Sequence, residues 1–234
     1  MTLPVIHRVT TLDLPVRPAP WSFALARRSD IDAHFAREQR ARPIWNGRVL
    51  LARHPVSSEG RFAADYFETD FASFLAWRDW GFPDSEVFNG FGMGALRSAD
   101  GAFVLGEMAQ HTSNGGQVYF PAGTPDLDDV RDGKVDIAGS VAREVLEETG
   151  LAEADYAASP HWDCVALGAT IAMIRILRVD MPGEALRARI EANLARQRQP
   201  ELSAIHLVRG TGDLTAAMPR FVTAFIEREF SPSL

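Results

Sequence analysis

Apolar positions along this chain recur at two spacings, and the change from one to the other marks the elements. Pro15, Pro18 and Pro20 punctuate the first segment, which reads as extended. Ser29 is placed to cap a helix through about Arg42, where Pro43 stops it. WNGRVLLARHPV reads as a strand. Phe67, Phe71, Phe74, Leu75 and Trp77 return every three or four residues, which predicts a helix over FETDFASFLAWRDWGFPD, ended by Gly81 and Pro83. From about Glu86 the texture changes to short apolar runs. GMGALRS and AFVLGEM flank Ala99-Asp100-Gly101, whose Asp-Gly pair predicts a hairpin. QVYFPAG is a third strand, followed by the polar loop TPDLDDVRDGKV. The helix IAGSVAREVLEETG has Asp136 to cap its start and Gly150 to end it. WDCVALGA and IAMIRILRVDM read as strands, PGEALRARIEANLARQR as an amphipathic helix, SAIHLVRG as a strand and PRFVTAFIEREF as a closing helix. Strands outnumber helices without strict alternation, which predicts an α+β fold. The break in texture divides the chain into an extension, residues 1–85, and a main domain, residues 86–234.

One predicted helix carries an unusual charge pattern. Residues three and four apart share a helix face, so Glu144, Glu147 and Glu148 project together. Three like charges repel, and hard divalent cations need several carboxylate oxygens. A solvated acidic stripe is the ordinary alternative. Val145 and Leu151 are placed to anchor the helix in the core.

The string REVLEETGL, residues 143–151, resembles the second half of the signature box of the Nudix hydrolases, matching every specified position. The glycine that opens that box is matched by Gly123, after the strand QVYF. The resemblance implies an α/β/α sandwich with a mixed sheet and a hydrolase that cuts the diphosphate of a nucleotide-like small molecule. It implies Mg2+ or Mn2+ held by Glu144, Glu147, Glu148 and the backbone carbonyl of Ala122. Arg143 would position the glutamates. The resemblance departs in the box's first half. Gly123 stands twenty residues before Arg143 where the family has fourteen, a six-residue insertion. The family's glutamate eight residues before the arginine is Val135 here. Asp136, Asp128 or Asp129 is left to pair with Arg143, and Asp136 reads equally well as a plain N-cap. Upstream, the Asn-Gly strand, the apolar helix, the Gly-rich strand and VYFPAGTPD are similar to a Nudix subgroup acting on nucleoside-diphosphate sugars.

The attacking water needs a base. Glu144 is one candidate. Glu201, in the loop RQRQPELSAIHLV, is another, because family members bring a late-loop glutamate over the metals; a surface loop residue is the competing reading. Arg198 and Arg196 sit near it and are read as phosphate contacts or a solvated helix end. Trp77, Trp80, Phe88 and Phe91 are the candidates for stacking on a base, with core packing the alternative, and Arg78 of the extension is a candidate for meeting a phosphate. His111, His161 and His206 read as loop or structural residues.

Composition removes several other classes. The chain has 234 residues, 46% of them hydrophobic, and a net charge of −7, which argues against nucleic-acid binding. A single cysteine, Cys164, forms no intrachain disulfide and fits a reducing compartment. No apolar run reaches membrane-span length, and no signal peptide is evident. The expectation is a cytoplasmic enzyme, with a homodimer as the candidate assembly and a nucleotide-diphosphate small molecule as partner. No His/Cys set has zinc spacing and Gly-x-Ser-x-Gly is absent. GFGMG is not followed by a helix and so is no dinucleotide fingerprint. The alternatives kept are a coenzyme A or dinucleotide diphosphatase and a non-catalytic, ligand-sensing domain of the same fold.

Overall fold

The computed structural model describes residues 3–41 and 44–231. Arg42 and Pro43, where the second helix was expected to stop, lie outside the described residues. The chain begins with β1 (Val5–Val9), β2 (Thr11–Asp13), α1 (Ser22–Ala26) and α2 (Arg28–Ala41), then β3 (Arg48–Ser58), β4 (Arg61–Asp70) and α3 (Phe71–Asp79). It continues with β5 (Val87–Arg97), β6 (Phe103–Met108), β7 (Val118–Tyr119), β8 (Ala122–Gly123), β9 (Val130–Arg131), β10 (Lys134–Val135) and α4 (Ile137–Thr149). The remainder is β11 (Ala157–Ala158), β12 (Trp162–Leu167), β13 (Thr170–Arg178), α5 (Gly183–Leu194), β14 (Leu202–Val208) and α6 (Arg220–Phe230).

Two expectations are corrected in the first third. Ser29 lies inside α2 rather than at its cap. The aromatic helix starts at Phe71, not Phe67, because Asp70 adopts an extended conformation and accepts a hydrogen bond from the Ser73 amide. Phe67 instead belongs to β4, a strand the pattern did not single out, which pairs antiparallel with β3 from Arg48↔Asp70 to Ser58↔Arg61.

The sheet is mixed. Its strands run β1-β12-β13-β5-β3-β4-β2, with β13 and β5 parallel and β12–β13, β5–β3 and β3–β4 antiparallel. β5 and β6 pair at one end, through Leu96↔Val104. Further along they separate, and β8 pairs with β5 while β7 pairs with β6. The bottom of that fork is where the box begins.

Helices cover both faces. Side chains alternate across a strand, and β5 puts Gly92 and Gly94 on one face and Phe91 and Met93 on the other. A methyl group at Gly92 would lie 2.5 Å from Val141 and 2.7 Å from Ile137, and one at Gly94 would lie 2.6 Å from Val145. The glycines therefore let α4 lie directly on the sheet. On the opposite face Phe91 meets Phe221 of α6 edge-on, with ring centroids 5.9 Å apart. The result is an α+β sandwich with helix layers on either side of a mixed sheet.

Two apolar cores are present. The larger joins α4, α5 and α6 to the sheet through residues such as Val145, Ile190 and Phe225, and it takes in Leu50 and Tyr66 of the extension. The smaller lies between α1, α2, α3 and one face of β3 and β4, reaches Val87 of β5, and holds Trp21, Phe35, Leu51 and Trp77. No helix among the described residues is long and apolar enough to cross a membrane.

Candidate active site

α4 is framed as its sequence requires. The Asp136 side chain accepts from the Gly139 amide, and left-handed Gly150, at φ 75°, closes the helix. Between these caps Ile137, Val141 and Val145 face the core. The same register carries Glu148 inward: it is only 4% exposed. Glu144 is partly covered, its side chain 13% exposed, and Glu147 faces solvent.

The loop between β8 and α4 supplies the partner of Arg143. Asp129 is buried and receives both ends of the guanidinium fork, Arg143 Nη2 donating to Oδ1 at 2.9 Å and to Oδ2 at 3.0 Å. Asp129 also accepts from the Ser140 hydroxyl at 3.2 Å and the Asp126 amide at 3.1 Å. Of the three aspartates that the sequence left open, Asp129 makes the pair. Asp136 is the cap, and Asp128 is exposed with its amide bound to Asp126. The other side of the guanidinium, Nη1, donates to Glu144 Oε1 at 3.1 Å. Arg143 thus orients Glu144 while being held by Asp129.

Gly123 opens the box for a steric reason. A methyl group there would run into the Glu144 carboxylate. Ala122, one residue earlier, gives Glu148 a backbone hydrogen bond. The short strand β8 therefore touches both inward glutamates.

These carboxylates stand in a poor environment for negative charge. Burial pushes the Glu144 carboxyl up to about 7; Arg143 opposes the rise, and Glu147, Glu201 and Asp129 add to it. Burial likewise raises Glu148 well above the usual carboxylate range, with Glu144 and Glu201 adding to it. Among the described residues no Lys, Arg or His forms an ion pair with Glu148. Glu201 is exposed, at the end of the loop before β14, and its carbonyl accepts from the Ala109 amide at 2.7 Å. Its charge nevertheless reaches Glu144, Glu148 and Tyr119. Among the described residues no three His, Cys, Asp or Glu side chains are arranged to coordinate a metal ion.

A cavity of about 250 Å3 adjoins β8 on the other side. Ala122, Gly123 and Tyr119 form its inner wall, and Phe71, Phe74 and Arg78 of α3 form its outer one. The Tyr119 hydroxyl accepts from Asn114 at 3.0 Å.

Three of the residues expected to meet substrate, Trp77, Arg198 and Trp80, do not line this space. Trp77 is fully buried, with its indole N–H donating to the Asp84 carbonyl at 3.1 Å and its ring 5.9 Å from Trp21. It fills the extension's core, because its partners lie behind α3 rather than over the cleft. Arg198 is exposed and does not line the cavity. Trp80 stacks edge-on with Phe23 and His34, away from it. Arg78 does line the cavity, its Nε donating to Asp79 at 3.1 Å. Phe91, a sequence candidate for stacking on a base, lines it too, and so do Asn89 and Phe221, which were not picked out from sequence as site residues. The available signal was Asn89, a polar residue at the head of the apolar run of β5. His111 is an exposed loop residue, and His206 pairs with Glu107 at 2.9 Å.

No protein-family model matches the chain, and no curated protein matches it. Among solved structures it is similar to a Nudix hydrolase from M. smegmatis, RenU, at 14% identity and a TM-score of 0.39, over 62% of this chain and 87% of that one. It is also similar to the MutT protein from Methanosarcina mazei Go1, at 18% identity and a TM-score of 0.37, over 60% of this chain and 91% of that one. A bifunctional NMN adenylyltransferase/ADP ribose pyrophosphatase from Francisella tularensis is similar at 13% identity and a TM-score of 0.34, over 62% of this chain and 39% of that one. Likenesses of this degree carry no argument about family or activity, which rest on the chain's own residues.

Proposed function

We propose that this chain is a Nudix-type hydrolase, dependent on Mg2+ or Mn2+, that cuts the diphosphate of a nucleoside diphosphate joined to a second group. The observation that carries the reading is Glu148, a buried carboxylate with no cationic partner among the described residues and three more carboxylates, Glu144, Glu201 and Glu147, close enough to raise its proton affinity. Burying such a group is costly unless a cation joins it. All donors gathered here are oxygens, the set that magnesium and manganese prefer. Glu144, Glu147, Glu148 and the Ala122 carbonyl would hold the ion. The Asp129–Arg143 pair fills the place that a glutamate fills in the family's box, which strengthens the match of REVLEETGL.

A bound divalent ion would supply neutralisation of the diphosphate oxygens and polarisation of phosphorus. Glu144, or Glu201 from the late loop, accepts a proton from the attacking water. The water oxygen bonds to one phosphorus as the bridging P–O bond breaks, and the bridging oxygen leaves with the other monophosphate. Arg143 is a positioning residue, because it touches Glu144 and Asp129. The extension, residues 1–85, is an accessory unit whose α3 walls the cavity beside the box. The sugar-nucleotide preference rests on the upstream likeness alone.

The test is a hydrolysis assay on UDP-glucose, ADP-ribose, coenzyme A and a dinucleoside polyphosphate, with and without magnesium. The expected result is two monophosphate products from at least one of them, only with the ion. Glu148→Gln should lower kcat/KM by roughly a thousandfold, about 4 kcal/mol of transition-state binding, while the protein still folds. Hydrolysis that persists in Glu148→Gln and in Glu147→Gln would sink the reading.

A further inference from the structure

We propose that the segment Asp13–Val16 is a positioning element for the carboxylates of α4: it clips the β9–β10 hairpin in place and so holds Asp129 against Arg143. This rests on the diphosphatase reading above, in which Arg143 orients Glu144.

The hairpin is set by its turn. Asp132 and Gly133 have φ of 50° and 72°, both left-handed, as in the two-residue turn that an Asp-Gly pair favours. Arg131 pairs with Lys134 and Val130 with Val135. At the open end the Asp136 amide donates to the Asp129 carbonyl at 2.8 Å. Asp129 therefore stands at the base of the hairpin, opposite the cap of α4, and whatever fixes the hairpin fixes Asp129.

A two-stranded hairpin is marginal by itself, and this one docks on an earlier part of the chain. The Val16 amide donates to the Gly133 carbonyl at 2.8 Å, and the Val135 amide donates to the Leu14 carbonyl at 2.9 Å. Pro15 and Lys134 form the bridge between those two bonds. Lys134 Nζ also donates to Asp13 at 2.9 Å, and Arg61 of β4 holds the same carboxylate. Exposed ion pairs contribute little, so the join lies in the backbone bonds and in the burial of Leu14 and Val135. The segment is itself anchored on β4: the Tyr66 amide donates to the Pro15 carbonyl at 2.8 Å, and the Arg17 amide to the Tyr66 carbonyl at 2.7 Å. A second tie holds the other side of Asp129, where the Leu50 amide of β3 donates to the Pro125 carbonyl at 2.8 Å. The loop between β8 and α4 is thus pinned before and after Asp129. Without the pins, ordering it would cost conformational entropy that a single ion pair with half-exposed Arg143 does not offset.

The test is a double-mutant cycle in the full chain. A methyl group on Gly133 would meet nothing within 4 Å, so Gly133→Val acts by penalising the left-handed turn alone. Gly133→Asn, which tolerates that conformation, is the rescue. Val16→Pro removes the amide that reaches Gly133 and attacks the join from the other side. On a diphosphate that the unaltered chain hydrolyses, Gly133→Val and Val16→Pro should each lower kcat at least fivefold with KM within twofold, and Gly133→Asn should stay within twofold throughout. In an Asp129→Ala background the same two changes should lower kcat by less than twofold, because the residue they act through is gone. Hydrogen exchange gives a readout free of catalysis: the Val135 and Asp136 amides should exchange at least tenfold faster in both variants, with β12 and β13 unchanged. Unchanged exchange, or kcat losses that multiply in full with that of Asp129→Ala, overturns the proposal. If no diphosphate is hydrolysed, the same cycle read as denaturation midpoints decides. Losses that overlap keep the clip on Asp129 and remove the hydrolase; losses that add remove both.

Discussion

α3 and α4 approach β8 from opposite sides, and each buries what a surface helix keeps outside. α3 buries Trp77, Phe74 and Leu75, and its buried polar groups are matched, the Trp77 N–H by the Asp84 carbonyl and the Ser73 hydroxyl by Asp70. α4 buries Glu148, and among the described residues no cation waits for it. The first helix is finished as it stands. The second has carboxylates whose proton affinity is raised by burial and by one another. Burial with every partner present marks a packing residue, and burial with the countercharge missing marks a place for a ligand. That difference separates Trp77 from Glu148 more surely than their residue types do.

Three measurements bear on this comparison. The largest effect is expected at Trp77. Trp77→Ala should cost about 3–5 kcal/mol of stability by opening a cavity, read as a fall in denaturation midpoint, with KM unchanged in the folded fraction. A tenfold rise in KM with stability intact would return Trp77 to the binding surface.

The next concerns α4 without metal. The Glu144 carboxyl lies at about 7 against an ordinary value of 4.5, so the folded state binds its proton more tightly than the unfolded chain does. Stability from this group is therefore full below pH 4.5 and falls as pH rises through 7, by roughly 3 kcal/mol at most. Thermal melts of metal-stripped protein should show the midpoint dropping across that window, and magnesium should reverse the drop at pH 7 by binding the folded state. A flat profile, or one that magnesium does not move, would mean that these carboxylates are relieved by something else.

The smallest is Asp129→Ala. It leaves the half-exposed Arg143 without its fork partner, at an expected cost of about 1–3 kcal/mol, less than for a fully buried pair. The activity should fall as well, because Glu144 loses its fixed neighbour. Asp136→Ala, which removes only a cap, should cost about 1 kcal/mol with activity kept. Equal activity losses in the two variants would undo the assignment of Asp129 as the partner.

How much of this was legible depends on how local the cause is. α4 was readable to the residue because Asp136 and Gly150 act within one turn. The β5–β6 hairpin was readable from Asp100-Gly101 for the same reason. β4 was not, since Phe67, Phe71 and Phe74 keep a helical spacing across a strand-to-helix junction, and only the Asp70 cap separates the two. Glu144, Glu148 and Glu201 were on the page as a motif and a late-loop candidate. The choice of Asp129 over Asp136 and Asp128 was not, because it depends on where a lengthened loop folds back. The cavity was the least legible part. Asn89, Phe91, Asn114, Tyr119 and Phe221 meet only after β5, the loop before β7 and α6 have assembled, and no spacing in the chain announces that meeting.

The first strand raises a matter of timing. β1 pairs with β12, from Val5↔Ala166 to Val9↔Trp162, and Arg8 of β1 holds Asp163. On a ribosome β1 is made early and its partner late, so its backbone donors and acceptors stay unmatched until most of the fold has emerged. Closing so long a loop is entropically expensive and puts this pairing among the slow, non-local contacts. The β3–β4 hairpin is local and can form while the later strands are still being synthesised. The segment that opens the sequence is then among the last to be locked, sealing the edge of a sheet that already carries α4 and its carboxylates.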